Sequence, residues 1–464
     1  MSPWTRLVAG GLFPLHERLK GHHSVAHRRA LEASQWWPAD RLAALQVQRL
    51  QALLHDVATR VPYYRRLFRA QGLTPEQFRT LDDLARLPVT DKALIRAQGQ
   101  DWLAEGATGL VRQRTSGSSG EPLTFWLSKD RISLDIAAKW RATRWWDVDI
   151  GDRELVLWGS AVENQAQNRL RAWRDRLMRS RLVPAQALDG PGLDRVIEQI
   201  QRFRPRMLFG YPSALSRVAW RAREQGRRLD DLGIRVAFTT SEVLRPEWRG
   251  VIGEVLGCGV ANEYGARDAG FIARECPAGG LHVSAEYLIV EVLDDADQPV
   301  PPGEVGHIVV TTLAGPEFPF IRYRTGDRGA LDPTPCPCGR GLPRLSRLEG
   351  RANDGLLAWN GAWVHGSRFN YLLRELDGLR AYKIVQHRRD AVEVLLSADP
   401  PPDEGFEQRL RTAFADALGP EVAVTLRRVD AVPPEPNGKH RHVVCRVDNL
   451  PSATRQATIE GVDG

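Results

Sequence analysis

The segment Thr115-Ser116-Gly117-Ser118-Ser119-Gly120 gathers four hydroxyls and two glycines into six residues. Hydroxyl donors and backbone N–H groups that no Cβ shields can cradle a polyphosphate. A plain Ser/Gly turn is the alternative, since the lysine of a Walker-type loop is missing and Glu121 follows instead. Cys276-x5-His282 and Cys336-x-Cys338 form a second group. Three thiolates and an imidazole suit tetrahedral zinc, at about 2.3 Å to sulfur and about 2.0–2.1 Å to nitrogen. Neither spacing is the common C-x2-C, and separate buried thiols with a surface histidine are the competing reading. Four protein ligands would leave the metal no open position, so its expected role is structural. A third candidate is Lys439, which follows Asn437-Gly438. Of 64 basic residues only six are lysine, at 20, 92, 129, 139, 383 and 439. A flexible ammonium can meet a carboxylate and a phosphate together as a point charge.

Four further segments follow the loop in order: Asn262-Glu263-Tyr264-Gly265-Ala266-Arg267-Asp268, Tyr323-Arg324-Thr325-Gly326-Asp327, Gly350-Arg351-Ala352-Asn353-Asp354 and Asn437-Gly438-Lys439. As an ordered set they resemble the adenylate-forming superfamily of acyl-CoA synthetases, luciferases and peptide-synthetase adenylation domains. Val61-Pro62-Tyr63-Tyr64, Leu87-Pro88-Val89-Thr90-Asp91-Lys92 and Gly210-Tyr211-Pro212-Ser213 place the likeness in the phenylacetate-coenzyme A ligase and capsule-biosynthesis ligase branch. It covers residues 36 to 445.

The resemblance implies joining a carboxylic acid to the α-phosphate of ATP, with release of pyrophosphate, followed by transfer to the thiol of coenzyme A. Thr115, Ser116, Gly117, Ser118, Ser119 and Gly120 would hold the β- and γ-phosphates. Asp327 would accept both ribose hydroxyls, Arg351 would contact ribose or phosphate, and Tyr264 would lie against adenine. Ser241 and Glu242 would line the nucleotide pocket, and Asp268 would hold Mg²⁺, a hard cation that prefers oxygen ligands. Lys439 would drive adenylation, and Tyr211, Gly265 and Ala266 would meet the acid. Some members of the branch carry Cys and His at the positions of Cys276, His282, Cys336 and Cys338, which supports zinc there. Three departures stand out: Glu121 where the loop often has Lys, Asp268 where Glu is usual, and Asn353 where many members have Asp. Glu121 and Asn353 leave open a degenerate binding protein without turnover. The acceptor is a separate question, coenzyme A being the family default and a carrier-protein thiol or an envelope-polysaccharide sugar the alternatives.

Composition narrows the remaining classes. The net charge of +7 and pI near 9.3 could suit nucleic acid, but the basic residues are interleaved with 57 acids along the whole length. No aromatic and basic repeat of a nucleic-acid module accompanies them, so no nucleic-acid partner is expected. Five cysteines in 464 residues, and no apolar run with a cleavage site at the start, predict a cytoplasmic enzyme rather than a disulfide scaffold. Leu7 to Leu15 is far short of the roughly 20 residues of a membrane span. It reads as an arm docked on the body, the alternative being a peripheral membrane contact with Arg6, Arg18 and Lys20.

These residues need a scaffold. Leu42, Leu45, Leu50, Leu53, Leu54 and Val57 predict a helix over 39–60, ending in a packed turn at Pro62-Tyr63-Tyr64. From 191 helices and strands alternate: helix 194–203, strand 207–209, helix 214–224, strand 236–238, helix 246–256, strand 259–261. That rhythm predicts a largely parallel sheet with flanking helices. Between 280 and 350 the texture is β. The last hundred residues predict a small α+β unit with strands at 382–386, 392–396 and 422–426 and a helix at 404–418. The expected fold class is thus α/β: a large N-terminal adenylate-forming domain over 1–350, a mobile α+β C-terminal domain over 351–448, and a disordered tail over 449–464. Oligomeric state is left open.

Overall fold

The computed structural model describes residues 2–115, 123–158, 169–185, 190–351, 355–360, 363–365, 369, 373, 376, 378–433 and 440–447. The chain divides into two compact units, one ending at Gly350 and the other starting at Arg351. The predicted tail at 449–464 lies outside the described residues.

The first unit opens with helices. Helices α1 (Pro3–Leu7) and α2 (Phe13–Leu19) are joined by a π turn over Val8–Leu12, and α3 (Ser24–Ser34), α4 (Ala39–Arg60) and α5 (Pro62–Gln71) follow. In α4, Leu42, Gln46, Leu50, Leu53, Leu54 and Val57 recur at helical spacing and are buried. The turn expected at Pro62 is instead the start of α5. A proline costs nothing at N1, where the missing N–H has no helical acceptor, and it keeps Val61 extended. Tyr63 and Tyr64 then pack on Trp102, with centroids at 4.6 and 5.3 Å.

Next come α6 (Lys92–Gln98), the hairpin β1 (Val111–Arg114) and β2 (Thr124–Leu127), α7 (Lys129–Arg144), β3 (Glu154–Leu157), α8 (Arg169–Leu177) and β4 (Ser180–Val183). The predicted alternation then holds through α9 (Gly190–Phe203), β5 (Met207–Gly210), α10 (Pro212–Glu224), β6 (Val236–Thr240), α11 (Pro246–Leu256) and β7 (Gly259–Ala266). Strands β8 (Gly270–Glu275), β9 (Leu281–Val283), β10 (Leu288–Leu293), β11 (Gly306–Thr312), β12 (Tyr323–Asp332) and β13 (Arg344–Arg351) complete the unit.

The β-rich stretch is not a separate sheet. One eleven-stranded sheet runs β10-β11-β12-β13-β9-β8-β7-β6-β5-β3-β4. From β7 to β4 it is parallel, whereas the pairings of β7 with β8, β8 with β9 and β9 with β13 are antiparallel. Two cores reflect this division. The parallel half packs with α9, α10 and α11, and the antiparallel half shares a core with α4 and α5.

In the second unit a four-stranded sheet has the order β18-β17-β16-β19, formed by β16 (Leu379–Arg388), β17 (Ala391–Ala398), β18 (Ala423–Arg428) and β19 (Val443–Cys445). The hairpin β14 (Gly355–Leu357) and β15 (Trp363–His365) precedes it. Helix α12 (Glu404–Leu418) buries Phe406, Leu410, Phe414 and Leu418, one per turn, and the ring of Phe414 stacks on Phe369 at 4.2 Å.

Candidate functional site

Strand β12 supplies one wall of the site. Side chains alternate along a strand, so Tyr323, Thr325 and Asp327 share its buried face. Asp327 accepts a 3.0 Å hydrogen bond from the hydroxyl of Tyr264, near the end of β7, and its backbone N–H donates to Thr325 Oγ1 at 3.1 Å. The Thr325 hydroxyl donates to the carbonyl of Ile308 on β11 at 3.0 Å, which pins the strand behind the carboxylate. Glu263, beside Tyr264, is paired with Arg274 at 2.8 Å, both side chains being buried.

Asp268 follows in the turn after β7 and is 3% exposed. Its Oδ1 accepts the Ala269 N–H at 3.0 Å, and its Oδ2 accepts the Tyr323 hydroxyl at 2.6 Å. Lys92 Nζ stands 3.5 Å from the same Oδ2. Lys92 opens α6, whose N-cap Asp91 accepts the Leu94 N–H at 2.8 Å. The preceding Thr90 is stitched to β12 by hydrogen bonds from its N–H to Arg322 O and from Arg324 N–H to its own carbonyl, both 2.8 Å. A protein-bound ammonium thus already neutralises the carboxylate assigned to Mg²⁺. One lone-pair direction on Oδ1 is left for a cation, so the donor chemistry fits a single contact that competes with Lys92.

Thr115 closes the base of the phosphate-loop hairpin, donating its N–H to the carbonyl of Leu123 at 2.9 Å while its hydroxyl accepts the Leu123 N–H at 2.9 Å. Arg267 donates to the carbonyl of Arg114 at 3.0 Å, which ties the hairpin base to the turn bearing Asp268. Ser116, Gly117, Ser118, Ser119, Gly120 and Glu121 lie outside the described residues, as do Asn353 and Lys439. Arg351 ends β13.

The other predicted residues line the carboxyl ends of the parallel strands. Ser241 follows β6 with a left-handed φ of 71°, and Glu242 accepts the Ser213 N–H at the start of α10 at 3.2 Å. Tyr211 follows β5 and stacks on Trp158 at 4.6 Å. Gly265 needs its missing side chain, because a Cβ there would lie 2.7 Å from the carbonyl of Gly270. The neighbouring Ala266 is half-buried. Of the tryptophans between 126 and 146, Trp126 packs on Phe318, Trp146 on Phe238 and Trp145 near His282, while Trp140 bonds to Asp149.

The Cys/His group is brought together by turns. The donor atoms of Cys276, His282, Cys336 and Cys338 all lie within 4.8 Å of one another. Cys276 and Cys336 sulfurs are 3.7 Å apart, too far for a disulfide and close to the roughly 3.8 Å edge of a tetrahedron with 2.3 Å zinc–sulfur bonds. His282 Nε2 is 3.1 Å from Cys338 Sγ, and Nδ1 is 3.2 Å from the carbonyl of Leu342, a partner that leaves Nε2 to ligate. Burial lowers the imidazole pKa to about 4, so the ring is neutral. Burial also pushes the Cys276 thiol up to about 12. A dication reverses that preference by stabilising the thiolate, so the donor set fits zinc.

Lys92, Tyr323 and Thr325 were not singled out as site residues by spacing. Lys92 had two signals, its place among so few lysines and its position at the end of the Leu87–Lys92 segment.

Comparison with solved structures identifies the architecture. A 2-hydroxyisobutyryl-CoA ligase, solved in the postadenylation state with an acyl-AMP, superposes with a TM-score of 0.72 over 89% of this chain and 90% of its own, at 21% identity. This is the adenylate-forming ligase fold. Sequence relatives of this chain include a phenylacetate-coenzyme A ligase of Thermus thermophilus, 28% identical over 88% of this chain and 97% of the relative. Protein CapK of Staphylococcus aureus is 22% identical over 94% of this chain and 95% of its own. Residues 356–446 match the family described as the CapK C-terminal domain. Among the described residues no helix is long and apolar enough to cross a membrane.

Proposed function

We infer that this chain is an AMP-forming acid–thiol ligase, which activates a carboxylic acid with ATP and passes the acyl group to coenzyme A. The observation that carries the reading is the convergence of Asp327, Tyr264 and Asp268 beyond the carboxyl ends of the parallel strands, where open α/β sheets bind ligands. Likeness to phenylacetate-coenzyme A ligases over 88% and 77% of the chain supports the acid and thiol assignment.

In the first half-reaction a carboxylate oxygen attacks the α-phosphorus, and the bond to the pyrophosphate oxygen breaks in line. Two anions must meet, so fixed donors and positive charge lower the barrier. Asp327 receives the ribose hydroxyls, held in place by the hydroxyl of Tyr264. Thr115 anchors the loop proposed for the β- and γ-phosphates, Arg351 meets ribose or phosphate, and Lys439 supplies the ammonium shared by carboxylate and α-phosphate. Bound Mg²⁺ would offset phosphate charge, and Asp268 is the residue offered to it. In the second half-reaction the thiol sulfur attacks the acyl carbon, AMP leaves with the bonding pair, and the thiol proton passes to solvent. Tyr211, Gly265 and Ala266 face the acid. Cys276, His282, Cys336 and Cys338 would hold a structural zinc ion, which would tie β8 and β9 to the loop before β13 without a part in turnover.

The test is pyrophosphate release with a panel of aryl, fatty and amino acids, with and without coenzyme A, with mass detection of the acyl-adenylate and thioester. A matched acid gives pyrophosphate, and Lys439→Ala cuts the adenylation rate by at least about a hundredfold. No release with any acid, and none lost on Lys439→Ala, would leave a non-catalytic binding protein. Release without thioester moves the acceptor to a carrier protein or a sugar.

A further inference from the structure

The N-terminal helical run turns the usual pattern of a docked helix outward. Its inner stripe is fixed to the body: Thr5 donates to Asp152 at 2.7 Å, Val8 fills the space over Gly151, and Phe13 packs edge-on against Trp140 at 5.1 Å. Glu17 is buried and engages His16, His22 and Ser24. A helix docked this way normally shows polar side chains to water. Here the outer stripe shows Leu7, Leu15 and Leu19, 52%, 55% and 80% exposed, with Gly11 between them.

The flanks of that stripe carry Arg6, Arg18 and Lys20, all exposed. Glu17 is the sole acid between Ser2 and Gly21, and it points inward. The same surface continues onto α8. The indole N–H of Trp4 donates to the carbonyl of Leu177 at 3.3 Å, and Trp173, one turn before Leu177, is 65% exposed. Arg176 beside it is exposed as well. An outward row of leucines, an exposed indole and a basic border, in which the partly exposed Asp175 is paired with Arg174, match the interface of an anionic bilayer, which takes apolar groups at its boundary and cations at its headgroups.

We propose that this face, formed by residues 3–20 with Trp173 and Arg176, docks the enzyme reversibly on anionic phospholipid membranes. The contact is peripheral: the leucines and Trp173 enter the headgroup boundary while Arg6, Arg18 and Lys20 meet lipid phosphates. It does not depend on the catalytic reading, because none of these residues belongs to the site.

The probe is sedimentation of the full chain with vesicles of phosphatidylcholine alone or with phosphatidylglycerol. Wild type should pellet with the anionic vesicles and be released by salt. Leu15→Glu/Leu19→Glu should abolish pelleting with an unchanged melting temperature, since both side chains stand in water. Replacing Arg6, Arg18 and Lys20 by Gln should weaken anionic binding about a hundredfold, at about fivefold per charge. The proposal is overturned if wild type fails to pellet at low salt, if neutral and anionic vesicles bind alike, or if the double variant binds as wild type does. It also fails if the chain binds no vesicle but forms a dimer that the double variant dissolves, because the face would then join two copies.

Discussion

The Asp327–Tyr264 wall and the Cys/His group lie on the same sheet but are stabilised by opposite means. In the wall both carboxylates already have protein partners: the Tyr264 hydroxyl donates to Asp327, whose N–H donates to the Thr325 oxygen, and Tyr323 and Lys92 engage Asp268. In the Cys/His group three sulfurs and an imidazole face one another, and burial disfavours ionising the Cys276 thiol without a cation. The wall is pre-organised for a ligand that comes and goes, whereas the second group is incomplete until a metal joins it. Disturbing the first should therefore cost function, and disturbing the second should cost stability.

The largest effect expected is on the metal side. Metal analysis should return one zinc per chain, and Cys336→Ser or exhaustive chelation should lower the unfolding free energy by ~3 kcal/mol. Calorimetry with and without chelator measures this. A metal-free chain with the same melting temperature would reduce the group to buried thiols.

Asp327→Ala is the converse. Losing the ribose acceptor should lower kcat/KM for ATP about a hundredfold. Stability should fall by only ~1 kcal/mol, since Tyr264 keeps Thr325 Oγ1 at 3.3 Å. A large stability loss with normal ATP kinetics would invert the contrast.

Gly280 gives a finer probe of the metal group. A Cβ there would lie 2.6 Å from Cys336 Sγ and 3.2 Å from His282 Nε2. Gly280→Ala should push the donors apart at a cost of ~2 kcal/mol, read as faster zinc loss to a chelator. Unchanged release would mean that the turn gives way without disturbing the ligands.

What was legible in the sequence follows the same division. Helices α9 to α11 and strands β5 to β7 are regular, and their periodicity is local. The Cys/His group was readable because residue type alone limits what three thiols and an imidazole can do. The contacts that complete the wall were not readable. Tyr264 meets Asp327 across 63 residues and Tyr323 meets Asp268 across 55, through strands whose order in the sheet does not follow the chain. The extension of the parallel sheet by antiparallel strands was missed for the same reason. The start of α5 at Pro62 was a local signal read as a turn.

The smallest effect expected comes from Lys92, and it bears on the one place where the wall is not simply closed. Its ammonium and Mg²⁺ would compete for Asp268, because Oδ2 already accepts Tyr323 and Oδ1 accepts a backbone N–H. Lys92→Met keeps the length of the side chain and removes the charge. If Asp268 binds the metal, the half-saturating Mg²⁺ concentration for pyrophosphate release should fall about fivefold, the equivalent of ~1 kcal/mol for a partly exposed pair. If Asp268 only anchors Lys92, the Mg²⁺ response should stay put while the enzyme loses stability, because a buried carboxylate would be left without its counter-charge. Measuring both quantities on one variant decides whether Asp268 belongs to the exchangeable side of the comparison or to the fixed one.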